Sequence, residues 1–92
     1  MKTTLLRYHV LIRREGKQYI AYTPVFDLST SGKTYDQAKK RFGELVHLFL
    51  EGLAENNTLE RALKDLGWTK VKQEWQTPII VGQEAKLIQL PA

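Results

Sequence analysis

The chain has 92 residues and a formal net charge of +4, from 14 Lys and Arg against 10 Asp and Glu. With 42% hydrophobic and 26% charged residues it is composed like one small folded domain rather than a disordered chain. It contains no cysteine, which excludes a disulfide framework and a thiolate metal site. No apolar run approaches the ~18–20 residues that span a bilayer, and the opening residues are too interrupted for a signal peptide. The expectation is a cytoplasmic protein.

In chain order, residues 5–14 alternate, with Leu6, Tyr8, Val10 and Ile12 on one face and Arg7, His9, Leu11 and Arg13 on the other. That period of two predicts a half-buried strand. Gly16 supplies a turn, and residues 18–23 predict the second strand of a hairpin. Pro24 stops ladder pairing or marks an edge or a bend. Residues 26–31 predict a third strand, with Phe26, Leu28 and Thr30 on one face. Gly32 then turns the chain into Thr34-Tyr35-Asp36-Gln37, which has the form of a capping box: the Thr34 hydroxyl accepts from the N–H of Gln37, and the Gln37 amide reaches back to the N–H of Thr34.

Ala38, Phe42, Leu45, Val46, Phe49 and Leu53 recur at helical spacing, so a helix is predicted over residues 35–55. Gly43 within it is read as a point of close approach to the sheet. Thr58 is a second N-cap candidate, Leu59, Ala62, Leu63 and Leu66 form a short amphipathic helix, and Gly67 stands where a C′ glycine belongs. Residues 68–75 alternate as a strand. Beyond Pro78, residues 79–81 and 86–90 are β-prone, either a hairpin on the same sheet or an arm that adds to a neighbour's sheet. The expected fold is α+β, β-β-β-α-α-β with a β-rich tail, the helices packed on one face of an antiparallel sheet. The expected division is residues 1–76 as the domain and 77–92 as the tail or oligomerising arm.

Chemistry has few places to reside. His9 and His47 have no companion at metal-ligand spacing. No nucleophile motif is present, and Ser29 and Ser31 are turn residues by type. Asp27, the one acidic group in an apolar extended stretch, is the most prominent candidate. Gly32-Lys33-Thr34 lacks the first glycine of a phosphate-binding loop. Lys39-Lys40-Arg41 is the densest basic group, and the strand aromatics lack the motif of an RNA-binding sheet. From the residues alone nothing rises to an enzyme, and the expectation is a small cytoplasmic α+β module, oligomeric, with no metal or cofactor.

The run from Tyr22 to Ala38, with Pro24, Asp27, Gly32, Thr34 and Ala38 in order and Gln37 where Glu is frequent, resembles the HicB-like antitoxins. The similarity extends to Leu66-Gly67-Trp68. The resemblance implies a partial RNase H-like fold without that enzyme's catalytic carboxylates. It also implies a protein that neutralises a HicA-type mRNA interferase by covering its active site. Contacts are expected from Pro24, Phe26, Asp27, Ser29, Ser31 and Lys33, with Gly32, Thr34 and Ala38 structural. Residues after Trp68 carry no helical pattern, so the expected form lacks a C-terminal DNA-binding domain. The expected partners are a small HicA-like toxin and further copies of the chain, as a homodimer or homotetramer. The alternative is a free-standing homo-oligomer of the same fold, binding nucleic acid through Lys39, Lys40 and Arg41.

Overall fold

The structure, a computed structural model, describes residues 4–91. Met1–Thr3 and Ala92, at the outer ends of the expected domain and tail, lie outside the described residues. The fold is α+β, with eight elements: β1 (Leu5–Leu6), β2 (Leu11–Glu15), β3 (Gln18–Thr23), β4 (Leu28–Gly32), α1 (Tyr35–Glu55), α2 (Leu59–Asp65), β5 (Thr69–Val71) and β6 (Glu74–Gln76). They form two three-stranded sheets, ordered β2-β3-β4 and β1-β6-β5. All pairings are antiparallel except β1 with β6, which is parallel.

The first expected strand is present as two pieces, β1 and β2, separated by residues 7–10. Its face is as read: Leu6, Tyr8, Val10 and Ile12 all pack against the core. A two-residue turn with Gly16 at φ 60° returns the chain into β3, and Glu15 pairs with Gln18. The positive φ matches the twist of the hairpin, which is why glycine suits that position.

The third strand starts later than the alternation suggests. Residues 24–27 form a turn, and the ladder resumes at Leu28 opposite Thr23. Asp27 closes this turn at φ 52°, a left-handed conformation that Asp tolerates better than most side chains.

The helix α1 has the predicted bounds because its start is strongly specified. Thr34 is extended (φ −132°, ψ 162°) and its Oγ1 accepts from the Gln37 N–H at 3.0 Å. The return bond differs from expectation: Gln37 Oε1 accepts from the N–H of Lys33, at 2.6 Å, rather than from that of Thr34. Ala38, Phe42 and Val46 form its buried face. Gly43 does not approach the sheet. It is exposed, and a Cβ there meets nothing within 4 Å.

Close approach belongs to Gly32 instead. A Cβ at Gly32 stands 2.5 Å from the Ala38 nitrogen and 2.9 Å from its Cα. The end of β4 therefore lies directly on the first turn of α1, and both residues are small for the same reason.

The helix α2 begins without a side-chain cap. The Thr58 hydroxyl donates to the Leu53 carbonyl at 3.1 Å, tying it to the end of α1 instead. Its C-terminus is a Schellman motif: the Gly67 N–H donates to Lys64 O (3.0 Å) and the Trp68 N–H to Leu63 O (2.9 Å), with Gly67 at φ 94°. Leu63 and Trp68, which flank this glycine, are both 1% exposed and supply the accompanying apolar contact.

Residues 68–75, read as one strand, are a hairpin. β5 and β6 pair Val71 with Glu74 across Lys72 and Gln73, and Lys72 takes φ 57°. The tail departs furthest from its pattern: residues 77–91 contain no helix or strand, so no hairpin is added to either sheet. The molecule is elongated, 58 × 32 × 19 Å with a radius of gyration of 16.3 Å. A compact chain of this length has about 12 Å.

Candidate protein-binding site

The hairpin turn at residues 24–27 is built around Phe26. This side chain is 4% exposed and serves as an aromatic hub. It stacks on Trp68 (centroids 5.2 Å apart, planes 13° apart) and meets Phe49 at 5.5 Å and Tyr8 at 5.9 Å. Tilted and offset pairs at these distances are attractive beyond their burial. The Trp68 indole N–H donates to the Val25 carbonyl at 3.2 Å, fixing the turn's backbone as well. Phe26 is therefore the anchor of the turn, while Pro24 and Asp27 on either side stand in solvent.

The remaining candidates follow along β4 and into the helix cap. Ser29 is exposed, Ser31 half-buried and Lys33 exposed. The Asp27 carboxylate lies 3.5 Å from the Tyr22 hydroxyl. Arg41 Nη1 donates to the Ser31 carbonyl at 3.1 Å, joining α1 to β4. Pro24, Asp27, Ser29 and Lys33 are all exposed along one stretch of chain, from the turn through β4 to the helix cap. Behind that stretch the backbone is held by the Phe26 anchor, the close approach of Gly32 to Ala38, and the cap in which Thr34 Oγ1 accepts from the Gln37 N–H and Gln37 Oε1 from the Lys33 N–H.

Nothing in the residue pattern marks the cavity beside this turn. It measures about 540 Å³ and is walled by His9 and Leu11 on one side, by Pro24, Val25 and Leu66 on another, and by the start of the tail at Ile80. Thr23 also lines it, and the Thr23 hydroxyl is fully buried with no hydrogen-bond partner. Threonine before proline in a β-prone run reads as ordinary strand sequence, so nothing marks it in advance.

Among the described residues, no group of three or more His, Cys, Asp or Glu side chains is gathered as a metal ion requires. His47 faces Glu51 one helical turn on, at 3.1 Å on the exposed side of α1, and His9 lines the cavity. No described helix is long and apolar enough to cross a membrane. Comparison with family models, curated proteins and solved structures returns no match to this chain.

Proposed function

We propose that the chain is a HicB-like antitoxin of partial RNase H-like fold, a cytoplasmic binding module that neutralises a HicA-type mRNA interferase by covering its active site. One observation carries most weight: the turn at residues 24–27 displays Pro24 and Asp27 while Phe26 is locked into an aromatic cluster. A surface fixed before binding loses little conformational entropy on docking. Asp27 adds a negative charge at the tip of that turn, suited to the basic surface with which an RNA-cleaving toxin holds its substrate. Ser29, Ser31 and Lys33 extend the contact along β4. The order of β2, β3, β4 and α1 accords with the first part of the fold that the resemblance implies.

The test is coexpression with the adjacent small reading frame. That frame alone should arrest growth, and coexpression of this chain should restore it, with the two proteins copurifying. Asp27→Arg should remove protection while leaving the unfolding midpoint of the isolated chain within a few degrees. A harmless neighbouring frame, or no complex, overturns the reading.

A second reading rests on the exposed Lys39 and Lys40 of α1, next to Arg41. As a free-standing module the chain would hold nucleic acid there, with affinity falling steeply as salt rises. No retention on RNA or heparin at low salt removes it.

A further inference from the structure

Residues 79–90 form an arm with six large aliphatic side chains, Ile79, Ile80, Val81, Leu87, Ile88 and Leu90, all at least 78% exposed. Its only charged residues, Glu84 and Lys86, lie 3.3 Å apart and offset one another. Segments that stay solvated are poor in such side chains and rich in net charge, so this composition belongs to a buried strand. Yet the arm pairs with nothing in its own chain, and the molecule is drawn out to 58 Å.

The same chain carries a matching acceptor. β2 ends its strand order, so one of its edges has no hydrogen-bond partner among the described residues. Leu11, at its start, is 61% exposed and borders the cavity next to the root of the arm. The other end of that sheet is less open, because Arg41 takes the Ser31 carbonyl of β4. β1 and β5, which end the second sheet, have two and three residues. β2 has five, the length of the run 86–90.

From these features we infer that two copies of the chain exchange arms reciprocally. Residues 86–90 of each copy add as a strand to the free edge of β2 in the other, and apolar side chains of the arm enter the partner's cavity at His9, Leu11, Val25 and Leu66. The occupant is a second copy because donor and acceptor are present once each on one chain, so a two-fold arrangement uses both and leaves no open end. The span suffices: the residues from Pro78 to Leu90 cover about 40 Å when extended. The twelve aliphatic side chains of two arms bring about 1,200 Å² of apolar area at roughly 100 Å² each, and the acceptor surface they cover adds to this, which reaches the range of stable interfaces. The arm's balanced charge gives no preference for nucleic acid or for an acidic or basic protein. This exchange does not depend on the antitoxin reading.

Because the chain contains no cysteine, the exchange can be tested by cross-linking. Arg13→Cys and Ile88→Cys proteins, prepared separately, mixed and oxidised, should give a disulfide-linked heterodimer, because Arg13 and Ile88 are the midpoints of the two five-residue runs and face each other in either strand direction. The Arg13→Cys/Ile88→Cys double variant should run as a covalent dimer on a non-reducing gel. Sedimentation of the unmodified chain should give about twice its monomer mass of 10.6 kDa, and Ile88→Asp should weaken the dimer about tenfold or more. Circular dichroism of Ile88→Asp should keep the helical signal of α1 and α2, since Ile88 is not among the residues packed on its own core. Three outcomes overturn the proposal: a wild-type monomer at about 100 µM, a dimer indifferent to Ile88→Asp, or a double variant closed within one chain.

Discussion

Replacing Gly32 by alanine adds one methyl group where the structure has no room for it. The new Cβ would stand 2.5 Å from Ala38 N, 2.9 Å from Ala38 Cα and 3.0 Å from Gln37 C. All three are backbone atoms of the first turn of α1, so no side-chain rotation relieves the overlap. Reaching ordinary contact requires β4 and α1 to separate by about an ångström, which disturbs the Thr34 cap and the packing of Ala38 together. Overpacking of this kind costs about 1–3 kcal/mol, and an immovable backbone puts Gly32→Ala near the top of that range. Stiffening the unfolded chain returns about 0.4–1 kcal/mol, leaving a net loss of about 2 kcal/mol. For a domain of this size that lowers the melting temperature by roughly 8–16 °C. The assay is urea unfolding at fixed protein concentration, where the midpoint should fall with the slope unchanged. Gly43→Ala is the control. Its Cβ meets nothing, and it should gain up to about 1 kcal/mol from helix propensity. A loss below about 0.5 kcal/mol for Gly32→Ala would refute the steric argument, since an effect that small is typical of substitutions touching no special feature.

Other substitutions separate stability from recognition. Thr34→Ala removes the cap on the Gln37 N–H and should cost about 1 kcal/mol in the same unfolding assay. Trp68→Phe keeps most of the stacking on Phe26 but strips the Val25 carbonyl of its donor, for about 1–2 kcal/mol, whereas Trp68→Ala should cost about 3–5 kcal/mol. Asp27→Gly relaxes a left-handed residue and should leave stability equal or raised by up to about 1 kcal/mol, while weakening capture of a toxin partner in a copurification assay. Thr23→Val in the Ile88→Asp background should raise stability by about 1 kcal/mol, because it removes a buried hydroxyl that has no partner within the chain.

How much of this was legible in the sequence depends on whether a feature is local. The bounds of α1 followed from residues within one turn of its start, and the end of α2 from Gly67 followed by Trp68. The β2–β3 hairpin was signalled by Gly16. A bend at Pro24 is legible, but not that the turn runs on to Asp27, because Phe26 and Leu28 keep strand-like alternation while Phe26 faces the core from the turn. The β5–β6 hairpin was missed because Lys72 holds a positive φ without being Gly, Asn or Asp. In the candidate site the same local ambiguity conceals that Phe26, expected as a contact, is the buried anchor of the turn. The cavity involves His9, Val25, Leu66 and Ile80, and only the folded chain brings these together. The tail shows the converse failure: its β propensity is plain, but no strand forms without an edge to join, and propensity names no edge.

The parallel pairing of β1 with β6 joins residues from nearly opposite ends of the chain through only two register positions. Closing so long a loop carries a large entropic cost for so short a ladder. The hairpins and α1, by contrast, are made of near neighbours in sequence. With so few ladder bonds, the backbone of this seam is expected to open before the longer ladders of β2, β3 and β4. Amide hydrogen exchange should find Leu5, Leu6 and Trp75 deprotecting together, well before Ala21 or Phe42, in a sub-global opening that spares β2, β3, β4 and α1. Such an opening would loosen the attachment of the arm while the surface carrying Pro24 and Asp27 stays intact, so assembly and recognition would be governed by separate cooperative units of one small domain.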